Sequence, residues 1–192
     1  GEPVMVFRAM DERAFCENSW VTDTVTFNDW QDPITVLAET VQGRGWHQAV
    51  LGVDFNSYCM TINRFNQLQV LLPAVQVADF SGVLAQLRAC KTSQEIAYIR
   101  QSAAANDQAI SAVVAEIGIG KTERLAMEII HRTLVHHGMD SNRCGIVTTG
   151  GGNSFLHANM QERVLQQGDI LHLEVVSFKH GYSSKLMRPV II

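Results

Sequence analysis

Nowhere does an uninterrupted apolar run approach the roughly 20 residues that a membrane span needs. The longest candidate, Ile170 to Phe178, is broken by His172 and Glu174. No stretch has the layout of a secretory signal. Positive charge is scarce as well: 15 Lys and Arg against 19 Asp and Glu leave a formal net charge of −4. That excludes the basic surface by which nucleic-acid binders declare themselves. Cysteine is sparse and scattered, at Cys16, Cys59, Cys90 and Cys144, with no CxxC and no metal-finger spacing. Such usage fits reduced, mostly buried thiols in a cytoplasmic protein. Internal repeats and low-complexity tracts are missing. No phosphate-gripping glycine loop follows a strand candidate, which removes the support for nucleotide binding.

What is present is enough apolar material for one large or two small globular domains, with 46% of 192 residues hydrophobic. Residues 4–9 read as a short strand, Asp11-Glu12-Arg13 as a polar turn, and residues 20–27 as a β-branched, aromatic strand. Asp32 and Pro33 open a helix that Gly43 and Gly45 close. Residues 49–54 suit a buried strand, followed by a helix capped by Ser57 and running to about Gln67. Leu68 to Leu72 is a further strand candidate, ended by Pro73. Alternating strands and helices over residues 1–80 predict an α/β layer with a mixed or parallel sheet.

The character then changes. Thr92 and Glu95 have capping-box spacing, and apolar residues recur at helical intervals from Ile96 to Ile117. A second helix runs from Thr122 to a stop at Gly138, and a strand over 146–149 enters the Gly150-Gly151-Gly152 loop. A hairpin is predicted from Asp169 to Ile192, turning at Lys179-His180-Gly181. The domain boundary falls near residues 80–91, giving domains over 1–85 and 88–192. The start at Gly1-Glu2-Pro3, and the end at Val190-Ile191-Ile192 inside what reads as a buried strand, suggest a fragment cut at both ends.

A turn centred on Lys179-His180 sets Glu174 directly across from Lys185, with Cβ atoms about 5 Å apart. Alternation brings His172 and Met187 to the same face. One account of Glu174 and Lys185 is a cross-strand ion pair on a solvated face, worth at most about 1 kcal/mol. The competing account is functional, because Leu171, Leu173, Val175 and Val176 make an unusually apolar setting for a carboxylate. His157 follows the glycine-rich loop and, on composition alone, reads as a surface histidine. His131, His136 and His137 do not gather on one helical face and read as solvated.

Several segments together resemble the creatinase, prolidase and aminopeptidase P superfamily, whose catalytic domain has the pita-bread fold. They are Arg88 to Arg100, Gly120 to Ala126, Gly152 to Ala158, Arg163 to Asp169, and Leu173-Glu174 with Gly181-Tyr182, Ser184 and Arg188. Residues 1–80 are similar to the smaller N-terminal domain of the same proteins. The resemblance implies a small N-terminal α/β domain followed by the first half of a pita-bread α+β catalytic domain. It also implies hydrolysis of C–N bonds, with His157 as the proton-transferring histidine.

In the metallopeptidase branch two hairpin aspartates hold a dinuclear metal centre, and here those positions carry Glu174 and Lys185. An ammonium has no lone pair to offer a metal and puts positive charge where the cation would sit. The pattern therefore resembles the metal-free branch that includes creatinase and ectoine hydrolase, with no metal and no cofactor. On that reading His157 acts as general base and then general acid. Glu174 holds a cationic group of a small polar substrate or attacks its carbon, Lys185 counters the charge of Glu174, and Phe155 and His172 line the pocket. A homodimer is the family expectation, while cysteine usage, charge and hydropathy predict a cytoplasmic protein with no nucleic-acid or membrane partner. Two alternatives remain: an Xaa-Pro metallopeptidase, and a non-catalytic module that uses this fold to bind peptides or proteins.

Overall fold

The computed structural model describes residues 2–140, 144–150 and 156–192. The chain divides into two compact units, Gly1–Ala89 and Cys90–Ile192.

The first unit alternates strand and helix: β1 (Val4–Arg8), α1 (Glu12–Asn18), β2 (Asp23–Phe27), α2 (Pro33–Gly43), β3 (Val50–Val53), α3 (Ile62–Leu71), β4 (Gln76–Asp79) and α4 (Val83–Ala89). β1 pairs in parallel with β2, and β3 with β4, as two separate two-stranded sheets. Asp32 caps α2 by accepting from the Thr35 N–H at 2.8 Å, with Pro33 at the first helical position. The same carboxylate accepts from the Gln67 amide on α3 at 2.6 Å, so one cap also ties two helices together. Between those helices Ile34, Ala38, Val41, Leu68 and Leu72 form the core of this unit.

Four local expectations fail here. Asp11-Glu12-Arg13 is no simple turn: a 3-10 turn over Ala9–Asp11 leads straight into α1. Arg13 and Glu17 pair one helical turn apart on α1, and Phe15 stacks on Phe7 with ring centroids 4.5 Å apart. Ser57 serves a turn, accepting from the Cys59 N–H, and the cap of α3 is Thr61. Leu68 to Leu72 is not a strand, because Leu68 and Leu72 are both buried four residues apart, which is helical spacing and not alternation. The thiols are mostly exposed: Cys16, on α1, and Cys59 and Cys90, outside any helix or strand, face solvent, and only Cys144 is buried. Burial pushes the Cys144 thiol up to about 11. β4 and α4 have no counterpart in the sequence-based assignment.

The second unit packs α5 (Ser93–Glu116) and α6 (Glu123–His136) on an antiparallel sheet of β5 (Gly145–Gly150), β6 (Ile170–Lys179) and β7 (Tyr182–Ile191), in the order β5-β6-β7. The capping box at Thr92 and Glu95 forms as the sequence predicts. Ala105, Ala109 and Val113 of α5 and Ala126, Ile129, Ile130 and Leu134 of α6 meet Val147, Leu171, Leu173 and Val175 of the sheet. Burying each such Leu or Ile contributes about 2 kcal/mol. Among the described residues no helix is long and apolar enough to cross a membrane.

Candidate functional site on the β5-β6-β7 sheet

Alternation along β6 sends Leu171, Leu173 and Val175 into the helices, so His172 and Glu174 occupy the opposite face. That face is also closed: Glu174 is only 5% exposed and His172 6%. The register differs from the expected one. The turn is His180-Gly181, with φ of 48° and 78°, and Lys179 pairs with Tyr182. Two successive left-handed residues give the two-residue hairpin turn that suits strand twist. The residue opposite Glu174 is therefore Met187, and Lys185 stands opposite Val176.

The offset is two residues along β7, an even number, so Lys185 stays on the face of Glu174. From its diagonal position its ammonium lies 2.7 Å from Glu174 Oε1. The Lys185 side chain is 52% exposed, against 7% for Glu174, so the pair has one solvated end and one buried end. Glu174 Oε2 is buried with no hydrogen-bond partner among the described residues.

A third side chain shares this face and was not singled out from the sequence. Thr148 on β5 pairs with His172, beside Ile146 paired with Glu174. It is 1% exposed, and its Oγ1 also lacks a partner among the described residues. A buried polar atom left unpaired costs free energy. Two such atoms, an acceptor on Glu174 and a donor-acceptor on Thr148, occupy adjoining positions of one sheet face. Thr148 was illegible because its significance depends on which strand β5 adjoins.

Backbone packing sets the height of Glu174. A Cβ on Gly145, at φ 104°, would lie 1.7 Å from the Glu174 carbonyl oxygen. Only glycine lets β5 close onto β6 there.

The other expected residues fare differently. His157 is exposed, in a turn beyond β5, and makes no hydrogen bond to Glu174 or Lys185 among the described residues. Phe155 lies outside the described residues. A cleft of about 780 Å³ belongs to the first unit and holds none of the expected residues. Its lining includes Val6, Phe7 and Arg8 of β1 and Leu51, Gly52 and Val53 of β3.

Among the described residues no three His, Cys, Asp or Glu side chains gather closely enough to hold an ion. The carboxylate on this face already has an ammonium on one oxygen. These residues do not fit a dinuclear centre.

Comparison with known proteins agrees with this architecture. Residues 97–192 match the model of metallopeptidase family M24, and residues 1–90 that of the creatinase/prolidase N-terminal domain. The chain is 32% identical over 109 residues to ectoine hydrolase of Halomonas elongata, covering 52% of this chain and 27% of that protein. It is 28% identical over 195 residues to creatinase of Bacillus sp. (strain B-0618), covering 94% of this chain and 44% of that protein. The X-Pro aminopeptidase of Thermotoga maritima superposes on all of this chain and 53% of its own, with a TM-score of 0.79 at 17% identity, a likeness of fold alone. The chain thus spans about half, or less, of the length of these relatives. It belongs to the creatinase/prolidase/aminopeptidase P superfamily, with the N-terminal domain followed by part of the pita-bread domain.

Proposed function

We propose that the full-length protein hydrolyses a C–N bond in a small polar metabolite, and does so without a dinuclear metal centre. The observation that carries this reading is the 2.7 Å contact between Lys185 Nζ and Glu174 Oε1. The two positions where the metallopeptidase branch places aspartates hold one neutralised ion pair. The pair satisfies its own charge and leaves Oε2 to accept a substrate N–H. His157 takes a proton from water as the hydroxide attacks the carbon, then returns it to the leaving nitrogen. Such transfer contributes about 10²–10⁴-fold.

Assay of the purified full-length protein on ectoine, creatine and an Xaa-Pro dipeptide, with and without a chelator, tests the reading. We expect turnover of a small metabolite that is insensitive to chelation and abolished by His157→Ala in a folded variant. Near-normal turnover by that variant would remove the role given to His157.

A second reading, an Xaa-Pro metallopeptidase, draws on the match of residues 97–192 to metallopeptidase family M24. Two tightly held divalent ions per chain, and dipeptide cleavage lost on chelation, would favour it.

A further inference from the structure

Glu123, the first residue of α6, is fully buried. Its carboxylate is met by donors from two distant stretches of chain. Oε1 accepts from the Thr149 N–H at 2.7 Å and from the Thr149 hydroxyl. Oε2 accepts from the Gln161 N–H at 2.6 Å. Thr149 is the penultimate residue of β5, and Gln161 opens the stretch that returns toward β6. Between them lies the segment that carries His157.

The return stretch is stitched down beyond Gln161 as well. Thr122 and Val164 form a β-bridge, the Leu165 N–H donates to the Lys121 carbonyl at 2.8 Å, and the Gly120 N–H donates to the Leu165 carbonyl at 2.9 Å. Leu165 is 1% exposed, which seals that end in the core.

We infer that Glu123 is a positioning residue, holding both feet of the His157 segment at a fixed separation. A carboxylate suits the task because both oxygens accept, one for each foot. The N-terminus of α6 favours the negative charge. An amide could serve only one foot, since its NH₂ would meet the N–H of the other. That Glu123 thereby fixes the reach of His157 toward a substrate at Glu174 rests on the function proposed above; the holding of the feet does not.

The test uses Glu123→Gln in the full-length protein, read by amide hydrogen exchange and by kcat and KM on whichever of ectoine or creatine the wild type turns over. Losing a charge-assisted hydrogen bond should raise exchange at the Thr149 or Gln161 amide by about tenfold or more. kcat should fall about a hundredfold with KM little changed, because a misplaced catalytic group costs rate and not ground-state binding. Glu123→Asp, which keeps both acceptors, should recover part of the kcat.

Unchanged exchange at both amides would overturn the inference. So would loosened amides with an unchanged kcat. If Glu123→Gln does not fold, Thr149→Val, which removes one of the three donors, should show a smaller change in the same direction, and no change at all would again overturn it. A wild type inert on every probe sinks the hydrolase reading, while the exchange measurement still decides whether Glu123 holds the feet.

Discussion

Lys185 reaches Glu174 diagonally across the β6–β7 hairpin, with 2.7 Å between charged atoms, although the residue directly opposite Glu174 is Met187. Same-face diagonals lie within reach of a long side chain. The His180-Gly181 turn moved the register by an even step, so the contact survives an error in the expected pairing. The pair joins a solvated ammonium to a carboxylate that has little water of its own.

Replacing Lys185 by Met should therefore leave Glu174 buried without its cation. A fully buried pair broken this way loses about 3–5 kcal/mol, and the half-exposed lysine reduces the expectation to about 1–3 kcal/mol. Urea denaturation at neutral pH measures it. Adding Glu174→Gln should recover most of the loss, whereas additive destabilisation would mean that the two residues do not interact.

Thr148→Val should separate stability from function. The hydroxyl it removes is buried and unpartnered, so Tm should hold or rise. If that hydroxyl contacts substrate, KM in the full-length enzyme should rise about tenfold or more. A marked fall in Tm, or unaltered kinetics, would remove Thr148 from the site.

Gly145→Ala should cost about 3 kcal/mol or more, since both the left-handed backbone and the Glu174 carbonyl oppose a methyl group. Thermal unfolding reads it directly. A loss under about 1 kcal/mol would show that β5 can slide away from Glu174 cheaply.

Acid should act through Glu95. The Tyr182 hydroxyl donates to it at 2.6 Å, and with the Thr92 N–H holds its carboxyl down at about 2 against an ordinary 4.5. Folding thus favours the ionised form. Its contribution to stability is complete above pH 4.5 and is lost as the pH falls toward 2. Tyr182→Phe should lower Tm at neutral pH and flatten its decline across that window. An acid limb as steep as in the wild type would place the responsible group elsewhere.

Much of the second unit was legible because its signals are local. Thr92 and Glu95 announce α5, the apolar spacing of α6 is helical, and alternation with a hairpin register of the right parity puts Glu174 and Lys185 on one face. What stayed hidden depends on long-range pairing. Thr148 and Gly145 gain meaning only when β5 is laid beside β6, and Glu123 only when residues 149 and 161 converge on it. In the first unit, Leu68 to Leu72 misled because a short apolar run suits strand and helix equally, and helix-to-helix packing decided it. Ser57 and Thr61 both have the chemistry of a cap, and the position of the first helical turn chose between them.

Because Thr149 and Gln161 hang from a single side chain, the distance between them does not depend on how much chain joins them. Evolution or an engineer could lengthen, shorten or replace the intervening stretch as a cassette without redesigning its anchorage.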